Sequence, residues 1–320
     1  MRRLQRIQRL PVFAEFGENA PERIGFSPSS QQDVSMSNFG VSSSVATLKR
    51  VAVRRPTRDA DYAGAHWLGA PDELDLDALE RDHATFVELL ESLGCEVDVL
   101  EPVAGLADAI FVYDPVFTTP GGVIQLQGAK EARKKEPSVL VGDLNALGVP
   151  TVGVLTGDAT ADGGDMCWLD DKTVALGRTY RTNAEGERQL REIFAAEGID
   201  VLTFHMPHAL GPEYCLHLMS VISPIREDLA VVYEREAPVT LLQELAARGI
   251  KTVSVPDEEY MSLACNVLAV RPGVVVMPDG NPITKQRMID AGVEVHTYPA
   301  STINRGEGGP TCLTRPLWRE

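Results

Sequence analysis

One phrase, repeated five times, constrains this chain more than any other feature. A helix-like segment ends at a glycine and an alternating apolar strand follows at once. Gly94 precedes Val97-Asp98-Val99, Gly148 precedes Thr151-Val152-Gly153-Val154, and Gly198 precedes Val201-Leu202. Gly249 then precedes Thr252-Val253-Ser254-Val255, and Gly292 precedes Val293-Glu294-Val295. Glycine is expected where a helix ends in the left-handed conformation, because a Cβ is penalised there. Between one phrase and the next lie two short apolar runs, such as 166–169 with 173–176 and 267–270 with 274–277, and then a helical run. The helical runs cover about 76–93, 129–147, 184–197, 238–248 and 282–291. The unit is therefore strand-strand-helix-strand, with glycines spaced roughly 43–54 residues apart. Five such units predict an α/β ring of small sheets whose strand ends and loops converge on a central channel. An ordinary doubly wound sheet is the competing reading, and the regularity of the glycine phrase argues against it. If the ring closes, the segment after His296 completes the first unit beside residues 48–53 and brings Cys312 to the centre.

Composition narrows the partners. With 44% hydrophobic and 24% charged residues, the 320-residue chain is that of a folded soluble protein. A formal net charge of −16 repels nucleic acid and anionic membranes. It would suit a cationic substrate, although acidity also serves solubility. No run approaches the roughly 20 apolar residues of a membrane span, and the basic residues 1–9 lack an apolar signal core. Cys95, Cys167, Cys215, Cys265 and Cys312 are odd in number and scattered, which argues for a reducing, cytoplasmic setting rather than a disulfide framework. Neither a CxxC pair nor HExxH occurs, so no metal or other cofactor is expected. Residues 1–46 have no hydrophobic period and read as a flexible N-terminal extension, or as sequence upstream of a start at Met36. The folded catalytic domain is expected over 47–320.

Four places break the repeat with polar residues that a core would not choose. Asp108-Ala109-Ile110-Phe111-Val112-Tyr113-Asp114-Pro115 reads as an apolar strand with an acid at each end, stopped by the proline. Asp162-Gly163-Gly164-Asp165 sets two acids around glycines that let another group approach closely. Cys215-Leu216-His217-Leu218-Met219-Ser220 places a histidine inside an apolar strand. The fourth is Gly308-Gly309-Pro310-Thr311-Cys312. Each has a bland reading as a turn, a strand stop or a core histidine. Together they supply a thiol, an imidazole and carboxylates from the strand edges of different units. Carboxylates can hold a guanidinium by paired N–H contacts and orient its carbon for attack. A thiolate is the side-chain nucleophile suited to that carbon, and a bound cation lowers the thiol pKa. The histidine can protonate a leaving amine and then activate water, with an acid fixing its tautomer.

These four blocks resemble the guanidine-modifying superfamily of arginine deiminases, dimethylarginine dimethylaminohydrolases and amidinotransferases. The resemblance covers nearly all of 48–320. It implies the five-bladed α/β propeller called the pentein fold and a covalent thiouronium intermediate. By the same resemblance Cys312 is the nucleophile, His217 the general acid/base and Asp162 its acid partner. Asp114 and Asp165 become guanidinium-binding acids. Asp108 and Phe111 match pocket positions of the dimethylargininases, and Arg181 matches an arginine that binds the substrate's carboxylate; otherwise Arg181 is a surface residue before the helix cap Asn183.

Met219 narrows the substrate. Arginine deiminases and amidinotransferases carry an acid at this position, whereas a thioether tolerates a methyl group but cannot pair with an N–H. Hydrolysis of an N-methylated arginine to citrulline and an alkylamine is therefore the leading expectation. Action on free arginine as a deiminase or dihydrolase, amidino transfer to an amine, and a non-catalytic binding propeller are the alternatives. Tyr113 replaces a usual acid, and Arg305-Gly306-Glu307 interrupts a more uniformly glycine-rich approach to the cysteine. Cys167 and Cys215 are expected to be buried within strands. The expected partners are a small guanidino substrate and, at most, a second copy of the chain as a homodimer.

Overall fold

Five three-stranded sheets follow one another along the chain, each built the same way. The computed structural model describes residues 38–70 and 72–320. In the first blade β1 (Leu48–Arg54) leads through α1 (Leu76–Ser92) to β2 (Glu96–Leu100). The second comprises β3 (Val116–Thr119), β4 (Gly122–Gln125), α2 (Glu136–Ala146) and β5 (Thr151–Val154). The third comprises β6 (Met166–Trp168), β7 (Thr173–Arg178), α3 (Ala184–Ala196) and β8 (Asp200–His205). A short helix, α4 (Leu218–Val221), opens the fourth, followed by β9 (Ile222–Arg226), β10 (Leu229–Val232), α5 (Val239–Ala247) and β11 (Lys251–Ser254). The fifth has α6 (Asp257–Tyr260), β12 (Leu268–Arg271), β13 (Val274–Pro278), α7 (Pro282–Asp290) and β14 (Glu294–Tyr298). In each sheet the middle strand pairs antiparallel with the hairpin partner and parallel with the strand that returns after the helix. The chain then comes back as β15 (Arg315–Arg319), which pairs antiparallel with β1, Val51 opposite Pro316. Closure thus completes the first blade as expected, and the fold is a five-bladed pentein propeller.

The five glycines do what their spacing predicts. Gly94, Gly148, Gly198, Gly249 and Gly292 all have positive φ, between 71° and 92°. They free each chain to turn from its helix into the parallel strand. The helices bury one stripe each, such as Leu79, Phe86 and Leu90 of α1 and Leu190 and Phe194 of α3.

Four expectations need correcting. The helical run at 129–147 is helical only from Glu136, where Pro137 pre-sets the first turn; residues 131–133 form a separate 3-10 turn. The acid-flanked segment at 108–114 is a 3-10 turn (Ala107–Ile110) and loop, and His217 sits at the start of α4 rather than in a strand. Finally, residues 38–46 belong to the folded body, although most of the expected extension lies outside the described residues. Gly40 N–H bonds Leu317 O at 2.7 Å, Ser44 Oγ accepts from Trp168 N–H at 2.9 Å, and Val41 and Val45 are buried. Two valines and a few hydroxyls that satisfy backbone groups are too short a pattern to show a period.

Candidate active site

A polar residue lies a few positions before one outer strand of each blade, and the five differ in kind. Asp114 stands before β3, Asp162 before β6, His217 before β9, Asn266 before β12 and Cys312 before β15. The loops carrying them are tied in a closed circuit. Tyr113 N–H donates to Cys312 O at 3.1 Å and Gly163 N–H to Asp114 O at 2.9 Å. Leu218 N–H donates to Asp165 Oδ1 at 3.1 Å, Val267 N–H to Ser223 Oγ at 3.1 Å, and Thr311 N–H to Asn266 Oδ1 at 3.0 Å. At least one bond therefore spans each blade boundary, and the polar residues are fixed relative to one another by the ring itself.

His217 is held from both sides. Its Nε2 is 3.2 Å from Asp162 Oδ2, and its Nδ1 is 3.9 Å from Asp114 Oδ1. The double glycine makes room for this. A Cβ on Gly164 would lie 2.4 Å from His217 Nδ1, and one on Gly163 would lie 2.1 Å from Tyr113 O. Burial works against the charged ring, but Cys215, Asp114, the Asp162 contact and Asp165 outweigh it and hold the imidazole pKa well above its ordinary value. Cys215 is not buried in a strand as expected. It is half-buried on the turn before His217, with Sγ 3.7 Å from Nδ1 and 3.9 Å from Nε2. Cys167 is buried in β6, as its apolar surroundings suggest.

Cys312 follows the Gly308-Gly309-Pro310 turn and is partly buried. Its thiol is pushed up to about 11, first by burial and then by Asp114; the Gly309 N–H, Asn266 and His217 act the other way. Asn266 Nδ2 donates to Sγ at 3.1 Å. Sequence reasoning missed Asn266, although its place before β12 matches that of the other four polar residues and was the available signal. The glycines of this turn are demanded by neighbours: a Cβ on Gly308 would lie 2.2 Å from the Phe111 ring, and one on Gly309 would lie 2.7 Å from Asn266. Glu307, which interrupts the glycine run, adopts a left-handed φ of 60°. Arg305 bonds Leu68 O at 3.3 Å, so the same interruption ties this turn to the loop around Trp67.

Two cations unrecognised in the sequence meet the acids. Arg133 Nη1 donates to Asp114 Oδ2 at 2.6 Å, Nη2 to Phe111 O at 3.0 Å, and Nε to Glu136 Oε2 at 2.8 Å. Asp114 Oδ1 accepts from Gly164 N–H at 3.0 Å. Burial opposes ionisation of Asp114, but His217 and Arg133 overcome it and keep the carboxyl below the usual range. Asp108 accepts from Trp67 Nε1 at 2.8 Å and from Lys130 Nζ at 2.6 Å. Both cations come from the 130–133 stretch, which forms a 3-10 turn and its leading residue instead of the expected α-helix.

Some residues assigned to substrate are engaged otherwise. Asp165 accepts from Thr179 at 2.7 Å, Thr182 at 2.6 Å and the Leu218 N–H, so its carboxylate fixes the start of α4 just after His217. Burial pushes its pKa up to about 6. Asp108 braces Trp67 and Lys130. Phe111 stacks under Trp67, ring centroids 5.7 Å apart, and wedges the glycine turn. Met219 is buried and faces a cavity further along the hub. Arg181 is half-buried and has no acid partner among the described residues, and its Nε is unpaired.

Comparison with known proteins agrees with this architecture. The sequence model of the arginine deiminase family matches residues 235–319. The N(G),N(G)-dimethylarginine dimethylaminohydrolase of Pseudomonas aeruginosa is 25% identical over 268 residues, 83% of this chain and 98% of that protein. A solved structure of that enzyme type from the same organism, a cysteine-to-serine mutant complexed with citrulline, superposes with a TM-score of 0.72 at 21% identity, covering 84% of this chain and 98% of the other. The N-terminal domain of ArgZ, an arginine dihydrolase from cyanobacteria, bound to its substrate, gives a TM-score of 0.74 at 15% identity, covering 84% and 98%. The chain is thus similar in sequence to dimethylargininases and arginine deiminases, and it shares the fold of these guanidine-modifying enzymes.

Proposed function

We propose that this protein is a hydrolase of a guanidino compound and that its substrate is an N-methylated arginine. The observation that supports the chemistry best is the convergence of Cys312, His217, Asp162 and Asp114 from four different blades onto one hub. In this reading Asp114 receives the substrate guanidinium. It already binds one, since Arg133 sits on its Oδ2, so an incoming guanidinium competes with Arg133 for that oxygen. Arg181, which lacks an acid partner among the described residues, receives the substrate's carboxylate.

The thiol pKa of about 11 leaves Cys312 protonated in the free enzyme at neutral pH. A bound cation beside Sγ favours the thiolate, and Asn266 donates a hydrogen bond to it. As the cation binds, the thiol proton passes to solvent, and the Sγ thiolate then bonds to the guanidinium carbon. The C–N bond to the alkylamine breaks, and imidazolium His217 gives the amine its proton. The resulting thiouronium carbon is attacked by water, whose proton passes to His217. The C–S bond breaks, Cys312 is regenerated, and the ureido product leaves. Asp162 holds the ring through both transfers. The raised pKa of His217 suits its first role as acid.

The absence of an acid two residues after His217 favours methylated over free arginine, although the Met219 side chain itself lines the cavity beyond the catalytic residues. Dimethylarginine, monomethylarginine, arginine and agmatine should be offered separately and the ureido product measured by colour formation. Citrulline and dimethylamine from dimethylarginine are expected, with arginine much slower. Preferred turnover of arginine would overturn the substrate. Amidino transfer to an added amine without citrulline would overturn hydrolysis.

A further inference from the structure

Beyond the catalytic residues, further along the same five strands, the hub holds a small cavity with a largely apolar lining. Its wall takes residues from β3, β6, β9, β12 and β15, together with Ser43 and Ser44. The cavity has a volume of roughly 30 Å3, enough for one small ion or one or two waters. Two guanidinium groups stand on this wall, Arg315 at 2% exposure and Arg319 at 9%. Their described partners are carbonyl oxygens, Tyr113 O at 3.4 Å and Val116 O for Arg315, Ala46 O and Ala269 O at 2.8 Å for Arg319, together with the Tyr113 side chain for Arg315. Arg315 also lies over the Tyr113 ring, 3.9 Å from its centroid. Among the described residues no carboxylate pairs with either.

An arginine cannot shed its proton to escape such a place, and two like charges buried together without a directly paired carboxylate are costly, even with Asp114 acting on Arg315 from a distance. The same wall carries buried donors with nothing to receive them. Arg315 Nε and Trp168 Nε1 both lack an acceptor among the described residues, and Trp168 is only 4% exposed. Met219, also on the wall, offers no charge. Two fixed positive charges, two unused N–H groups and ion-sized space call for a small acceptor that is itself negative.

We propose that the hub cavity binds one small monovalent inorganic anion of the halide class, as a structural counter-ion for Arg315 and Arg319. It is separate from the guanidino site, whose acids attract cations. The test uses the whole protein with bromide and chloride as probes. Crystals grown in sodium bromide should show an anomalous peak in the cavity beside Arg315 and Trp168. In solution, the thermal midpoint should rise saturably with chloride over gluconate at equal ionic strength. A rise of about 2 °C is expected once chloride is tenfold above its Kd. The chloride response should vanish in Arg315→Met. If that variant does not fold, Trp168→Phe, which removes one donor, should raise the chloride Kd roughly tenfold. Equal midpoints in the two salts, or only water in the cavity, would overturn the proposal. So would a bromide seen in the crystal without a solution effect, or an unchanged chloride response in Trp168→Phe.

Discussion

The helix-to-strand junctions and the hub obey the same fivefold repeat in opposite ways. At the junctions the repeat is kept: five glycines, five positive φ values, one job. At the hub it is broken: the polar residues before one outer strand of each blade are Asp114, Asp162, His217, Asn266 and Cys312. The junction needs one backbone conformation everywhere, so one residue type serves it. Chemistry at a shared point needs unlike groups, so equivalent positions must diverge. Repetition builds the frame, and departure from repetition builds the site.

That contrast can be broken by substitution. If it holds, hub changes remove activity with little loss of stability, and junction changes do the reverse. Cys312→Ser should have the largest effect, lowering turnover at least about 10⁴-fold while the thermal midpoint stays near wild type. Gly164→Ala comes next. The added Cβ meets both His217 Nδ1 and Asp114 Oδ1 at under 3 Å, so the ring must move, and kcat should fall about 100-fold. Asn266→Ala should cost about tenfold in kcat. It removes a donor that favours the thiolate, so the Cys312 pKa moves further up and alkylation by neutral iodoacetamide at pH 9 should slow. An unchanged rate there would remove Asn266 from the site. The smallest effect on turnover belongs to Gly94→Ala, which forces a Cβ into a φ of 92°. It should destabilise by about 1 kcal/mol, read by denaturant melting, with kcat unchanged.

The same contrast explains what could be read in the sequence. The frame was legible because Gly94, Gly148, Gly198, Gly249 and Gly292 repeat a local rule that depends only on backbone sterics. Ring closure by β15 followed from that count. Cys312, His217, Asp162 and Asp114 were legible as polar interruptions of apolar runs. Asn266 was not, because one asparagine after Cys265 looks like an ordinary strand edge until its fivefold position is noticed. Lys130 and Arg133 were hidden for another reason. Their stretch, with Ala129, Glu131, Ala132 and Lys134, has helix-forming composition, but it is a short 3-10 turn whose cations pair with Asp108 and Asp114. Segment 107–114 misled similarly, its apolar run being buried by a 3-10 turn rather than by a strand. Cys215 was read as packing because nothing local shows that its turn lies against His217.

The central claim is that Cys312 is a partly buried, protonated thiol that becomes reactive when Asp114 holds a cation beside it. Parallel labelling at pH 7 with neutral iodoacetamide and cationic 2-chloroacetamidine, followed by peptide mapping, tests it most directly. The claim predicts that the amidine modifies Cys312 at least about 100-fold faster than iodoacetamide does. It also predicts that Asp114→Asn erases most of that advantage. Equal rates for the two reagents, or modification falling first on Cys215, would contradict it.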